Sequence, residues 1–278
     1  MRVRIGVSGW LYPSWRGVFY PPKLPHAREL SYVSQSFDTV ELNGSFYSLM
    51  RPTSACRWYD ATRDDFVFAV KGSRFITHMK RLADVDVALA NFFASGVLAL
   101  REKLGPILWQ LPPQTAFDEA RLDEFLSILP RTTREAARLA RKHDARLEGR
   151  DYVTTDADRH IRYALEVRHE SFDAPRFFAL LRRHGIASCV SDMAGLFPMF
   201  ERTTADFSYV RLHGRTKRYE SRYSARSIAR WAERVAQWSR RGDVYVYFDN
   251  DAKVHAPFDA QALRAAVDRL TVERRRHA

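Results

Sequence analysis

"YALEVRHE", residues 163–170, decides how this chain is read. Its apolar residues mark a short β-strand, yet Glu166 and Arg168 stand among them. Strand side chains alternate between faces, so Ala164, Glu166 and Arg168 share one face and Leu165 and Val167 the other. With one face in water the charges need no explanation. With both faces covered they can stand only near a strand end, paired or facing a ligand.

Seven further runs of the same kind settle which case applies: 3–10, 38–43, 66–71, 106–111, 187–192, 208–214 and 244–251. Helical patterns lie between them, including residues 27–37, 85–104, 174–185, 224–242 and 259–270, several opened by Ser or Asp and closed by Gly. The stretches after Phe37 and after Asp192 carry weaker helical patterns. Eight strand-then-helix units predict an α/β fold of the TIM (β/α)8 barrel type, with a doubly wound open sheet as the alternative. A chain of 278 residues, 46% hydrophobic, suits one such domain over 1–278.

Residues 131–160 are longer and more charged than a βα connection requires. They read as a helical insert rather than a second domain, because they carry no apolar core of their own. Residues 271–278 end in "ERRRHA", a basic tail read as a solvated terminus.

The formal charge is +12, which raises the prospect of an anionic partner. Seven of the 45 basic residues are Lys and the rest Arg, and they are spread through the helices as solvated faces are. Cys56 and Cys189 have no metal-binding or disulfide-framework spacing. The N-terminus reads as a first strand rather than a signal peptide, and no run approaches a membrane span. Together these predict a cytoplasmic protein without a membrane partner.

In a barrel both strand faces are covered except at the mouth, so charged inward residues belong at the C-terminal ends. Each run carries polar residues there: Ser8; Glu41 and Asn43; Lys71; Gln110; Glu166 and Arg168; Asp192; Arg211 and His213; Asp249, Asn250 and Asp251. Single members commonly cap helices or bind loop backbone. Burying the whole set is expensive unless its members pair or bind something, so the signal is the set.

The stretches "GVSGWLYPSWRGVFYPPKLP" (6–25), "TVELNGSFYSL" (39–49), "FAVKGSRFITHMKRL" (68–82), "LGPILWQLPP" (104–113), "ALEVRHESF" (164–172), "TADFSYVRLHG" (204–214) and "VYVYFDNDAKVHAP" (244–257) resemble the motifs of the domain-of-unknown-function 72 family, also called YecE-like. The resemblance spans Arg4 to Leu270. It implies a TIM barrel with a pocket at its mouth, and it carries no assigned reaction. The charged insert is longer than the family core requires.

Three chemistries fit the strand ends. In the first, Lys71, Arg168 and Arg211 stabilise a small anionic or phosphorylated substrate, and Glu41, Asn43, Gln110 and Asn250 complete the binding set. Glu166 and Asp249 then transfer protons, with Asp192 and His213 as further acid/base groups, for hydrolase- or isomerase-type chemistry without an organic cofactor. In the second, Glu166, Asp192, His213 and Asp249 hold a divalent metal; the neighbouring cations argue against it, since they already neutralise the carboxylates. The third is nucleic-acid binding or an endonuclease-like barrel, with aromatic and basic residues interleaved at 10–22 and 214–227; packing of those rings over the mouth is the simpler account. His78 follows the third strand and reads as a loop residue within reach of the mouth. Met193 and Met199 read as packing residues. No dinucleotide fingerprint, P-loop or nucleophile elbow occurs. The cations at the strand ends favour the first chemistry.

Overall fold

The computed structural model describes residues 1–276, and its centre is a closed barrel of eight parallel strands paired in chain order, β8 closing onto β1. The strands are β1 (Val3–Ser8), β2 (Thr39–Leu42), β3 (Val67–Lys71), β4 (Leu104–Gln110), β5 (Tyr163–Glu166), β6 (Ala187–Asp192), β7 (Phe207–Leu212) and β8 (Asp243–Phe248). Closure leaves no unpaired edge, so an open sheet is excluded.

Two apolar clusters divide the strand faces. Val67, Ala69, Leu108, Ala164, Ala187, Cys189, Phe207, Tyr209, Tyr245 and Tyr247 fill the barrel interior, while the alternate residues join the larger core under the helices. Each interior series continues, two residues on, into a polar side chain: Ala69 to Lys71, Leu108 to Gln110, Ala164 to Glu166, Cys189 to Ser191, Tyr209 to Arg211, Tyr247 to Asp249. The barrel is therefore apolar below and ionic above, as the alternation of "YALEVRHE" requires. Gly6 allows β1 to approach β2 closely, since a Cβ there would stand 1.9 Å from the Thr39 carbonyl oxygen.

The helices are α1 (Glu29–Ser36), α2 (Gly44–Tyr47), α3 (Pro52–Asp60), α4 (Asp86–Ala94), α5 (Glu119–Ser127), α6 (Thr133–Ala140), α7 (Pro175–His184), α8 (Ala225–Trp238) and α9 (Ala256–Arg276). Ser224 caps α8 through its side chain, and Gly185 ends α7 in the left-handed conformation. The single helix expected over 85–104 is broken at Gly96, whose φ of 110° packs against Pro52; a 3-10 segment, Val97–Lys103, follows it. Residues 193–206, between β6 and β7, form no helix, in keeping with the weak pattern there. Within the charged insert, α6 opens with a capping box made by Thr132 and Glu135 and packs on α4. The last helix continues through Arg276, so most of the basic tail is helical backbone rather than a frayed end; residues 277–278 lie outside the described residues. No helix among the described residues is long and apolar enough to cross a membrane.

Candidate functional site at the barrel mouth

Arg211, 1% exposed, sits at the C-terminal end of β7 and ties together carboxylates from three other parts of the barrel. Its Nη2 donates to Glu41 Oε1 at 2.7 Å and to Asp249 Oδ2 at 3.1 Å, and its Nη1 donates to Glu166 Oε2 at 2.8 Å. Its Nε donates to both Glu41 oxygens, at 3.1 and 3.0 Å. Glu41 is held further by Ser8 Oγ at 3.0 Å and by the Tyr209 hydroxyl at 2.6 Å. Glu166 is held by Arg168, whose Nε and Nη2 donate to Oε1 at 2.9 and 2.7 Å. Arg168 lies against the Phe197 ring at 5.4 Å, and its Nη1 makes no hydrogen bond among the described residues.

Arg211 Nη1 also lies 3.2 Å from His213 Nε2. A guanidinium has only donors, so Nε2 accepts and the ring carries its proton on Nδ1, which faces Asp249 Oδ2 at 3.0 Å without meeting hydrogen-bond geometry. Burial, and then the Arg211 charge, push the His213 pKa down and keep the ring neutral. Burial pushes Asp249 upward, but the His213 contact and the Arg211 charge outweigh it and hold Asp249 below the ordinary carboxylate range. Glu166 behaves likewise: burial raises it, and Arg211 and Arg168 together hold it well below that range.

Lys71 differs from these groups. It is 8% exposed, its ammonium lies 4.2 Å from the Phe46 ring centroid, and it has no hydrogen bond or ion pair among the described residues. Burial, then the Arg211 charge, lower its pKa from 10.5 to about 8, with Glu166, Glu41 and Asp249 opposing. Its backbone is fixed by Ser45, which donates to the Lys71 carbonyl at 2.7 Å. Gly72 follows without room for a side chain, because a Cβ would stand 2.1 Å from the Trp109 ring. Beside Lys71 stands His78, carried by a π-helical turn, Phe75–Met79. Burial, Lys71 and Arg168 lower His78 from 6.5 to about 4, and only its Nδ1 is hydrogen-bonded, to Thr77.

Comparison with known proteins identifies the family. The family model described as "Protein of unknown function DUF72" matches residues 4–277. The chain belongs to the DUF72 family. A DUF72 crystal structure from Thermotoga maritima is 28% identical, covers 96% of this chain and 100% of its own, and superposes with a TM-score of 0.77. A second DUF72 structure, from Enterococcus faecalis, is 17% identical with a TM-score of 0.73 over 96% of this chain and 95% of its own, and shares the fold. The UPF0759 protein YunF of Bacillus subtilis is 25% identical over 90% of this chain and 89% of its own length.

Within this DUF72 barrel, Glu41, Glu166, Arg168, Arg211, His213 and Asp249 are brought into one cluster. Lys71 and Gln110 stand at the same rim, Gln110 opposite Glu166 in the β4–β5 register and without a side-chain hydrogen bond among the described residues. Asn43 follows β2 and lines an adjoining pocket of about 470 Å³ with Tyr12, Trp10 and Trp58. None of Glu166, Arg168, Arg211, His213 and Asp249 lines that pocket.

Two expected members are elsewhere. Asp192 shares the outward parity of Val190 and accepts from the Tyr223 hydroxyl at 3.2 Å; Ser191 is the inward residue of β6. Asn250 shares the outward parity of Phe248 and donates to Ser221 O at 3.0 Å and Asp259 Oδ2 at 2.8 Å, binding the loop after β7 to α9. The conditional metal set is thus not assembled: Asp192 faces away, and Arg211 occupies the oxygens of Glu166 and Asp249 that point inward. No group of three or more His, Cys, Asp or Glu among the described residues is arranged to hold a metal. Glu166, expected to transfer protons, is an ionised counter-ion between two guanidinium groups, too weak a base for that task.

The rings of residues 10–20 pack inward: Trp10, Trp15, Phe19 and Tyr20 are all buried, and Tyr12 donates to the Ser8 carbonyl. Beneath them Asp251 is buried beside Tyr12 and Trp15, with no hydrogen bond to either oxygen among the described residues. Burial, and then the Asp249 charge, push Asp251 well above the ordinary carboxylate range. The sequence sets Asp251 at a strand end without a role and reads His78 as a loop residue within reach of the mouth. The signal for His78 was its place seven residues beyond Lys71, ambiguous until the π turn is seen.

Proposed function

We propose that the mouth binds a small anionic molecule, a carboxylate or a phosphate ester, between Arg168 and Lys71, and that the protein is an enzyme of isomerase or hydrolase type using proton transfer there. Lys71 carries this reading. The other inward cations are already matched to carboxylates, whereas Lys71, a largely buried residue, has no hydrogen bond or ion pair to its ammonium among the described residues. A buried unpaired charge is costly, and an anion at the mouth relieves that cost.

Arg168 supports the reading because its free Nη1 leaves donors for a planar, bidentate contact while Glu166 fixes the group's orientation. Gln110 and His78 are uncharged at neutral pH and supply hydrogen bonds without adding charge. Lys71, near 8, suits proton transfer better than Glu166 or Asp249, both of which Arg211 holds below the ordinary carboxylate range. A thermal-shift screen of small carboxylates and phosphate esters tests the reading, repeated with Arg168→Leu and Lys71→Met. Stabilisation of the wild type that both substitutions remove is the expected result. Ligands that stabilise all three proteins equally would place binding elsewhere and overturn it.

A further inference from the structure

Resting on the mouth as a small-molecule site, we infer that Lys71 is a nucleophile that forms a protonated imine with the aldehyde or keto group of a small anionic substrate. A contrast inside the molecule motivates this. Lys103 is also buried, and its ammonium donates to Tyr59 O at 2.7 Å, Thr62 O at 2.8 Å and Thr62 Oγ1 at 3.2 Å, as a structural lysine does. Both ammonium groups lie over an aromatic ring, Tyr59 for Lys103 and Phe46 for Lys71, but Lys71 has no such acceptors among the described residues and stands at the end of an interior strand, its backbone clamped by Ser45. An amine so placed is desolvated and pre-positioned, the two conditions that make lysine a covalent catalyst.

The charges point the same way. Around Lys71 stand three carboxylates, Glu41, Glu166 and Asp249, against two guanidinium groups, Arg168 and Arg211, with His78 and His213 neutral. Position 71 carries a positive charge that none of these carboxylates pairs with directly among the described residues. A protonated imine keeps that charge where the ammonium had it, so the covalent state costs no electrostatic rearrangement. In the reaction the ammonium sheds one proton to water, the Nζ lone pair attacks the carbonyl carbon, and the carbonyl π electrons move to oxygen. A second proton passes from nitrogen to that oxygen, giving a carbinolamine. The shed proton returns to the hydroxyl, the C–O bond breaks, water leaves, and the nitrogen lone pair forms the C=N bond. Ammonium and carbonyl thus become protonated imine and one water, with no oxidant or reductant required. The burial that lowers the Lys71 pKa also raises the fraction of free amine available for attack.

Trapping tests this on the wild-type protein. Glyoxylate, pyruvate and glycolaldehyde phosphate are each added with cyanoborohydride, and the reduced adduct is located by peptide mass mapping. The expected result is one adduct at Lys71, formed roughly tenfold or more faster than at the exposed lysines 23, 142, 217 and 253, because burial favours the free amine at Lys71. Lys71→Arg should lose that adduct, and Arg168→Leu should slow trapping of the anionic probes more than that of propanal. Labelling of the exposed lysines with Lys71 unmodified overturns the imine. If anions still stabilise the protein in the thermal-shift screen, that failure leaves the binding reading standing; if they do not, both fall.

Discussion

Arg211→Met is the sharpest perturbation of the ionic layer, because it removes one cation from three buried carboxylates at once. Breaking a buried pair by deleting one partner costs about 3–5 kcal/mol. Arg168 continues to hold Glu166, and Ser8 and Tyr209 continue to hold Glu41, so the loss should stay within that range. At about 2–4 °C per kcal/mol for chains of 150–250 residues, and toward the lower slope for a longer chain, the melting temperature should fall by roughly 6–15 °C. The pH dependence should change as well. In the wild type, Glu166 and Asp249 lie below their ordinary values of 4.5 and 3.8, so their stabilisation is present above those values and is lost as pH falls through the lower folded-state values. Without Arg211, burial raises the freed carboxylates, so relative to the wild type the variant should recover stability as pH falls from about 8 to about 5; the wild type instead loses stability below about 6.5, because burial holds His78 and His213 below the ordinary histidine value. Arg211→Lys should fall between the two, since a point charge cannot reach three carboxylates in the guanidinium's plane. Circular-dichroism melts across that range measure all of this, and an Arg211→Met protein that melts within about 2 °C of the wild type would refute the reasoning.

Lys71 gives the opposite signature in alkali: between about 8 and 10.5 the unfolded chain holds a proton that the folded chain has lost, so Lys71 makes stability climb with pH across that window, a slope that Lys71→Met should lack in chemical denaturation. Gly6→Ala drives a methyl group into the Thr39 carbonyl and should cost about 3 kcal/mol or more, read as a collapse of soluble yield or of the denaturation midpoint. Cys189 lies inside the barrel, its pKa pushed up by burial, whereas Cys56 is only partly buried; a thiol reagent should titrate one cysteine in the native protein and the second only on unfolding. Oligonucleotides of increasing length at low salt should show no length-dependent affinity, since the rings of residues 10–20 are packed inward; tight binding that weakens steeply with salt would contradict this.

The barrel was legible because eight apolar runs with period-2 alternation are bounded by helical patterns, and only a parallel, doubly covered sheet buries both faces of such runs. Pairs spaced by two, such as Glu166 with Arg168 and Arg211 with His213, were legible as same-face residues for the same reason. Parity itself was not. When both faces are buried, nothing in the sequence distinguishes the inward Ser191 from the outward Asp192, or Asp249 from Asn250, and the wrong member was chosen at β6. Nor could a list of charges show that Arg211 binds three carboxylates and leaves Lys71 without one, because that depends on how far each side chain reaches across the barrel. The break at Gly96 was hidden by an unbroken apolar pattern and requires the approach of Pro52 to explain it.

The central claim is that Lys71 awaits an anion, and proton linkage tests it most directly. Titration calorimetry of a stabilising carboxylate or phosphate ester, run near pH 8 in buffers of different ionisation enthalpy, reports protons taken up on binding. An anion beside Lys71 favours the ammonium, which is already about half formed near pH 8, so the account predicts uptake of up to about half a proton by the wild type and none by Lys71→Met. Binding without proton uptake, or uptake that persists in Lys71→Met, would contradict it.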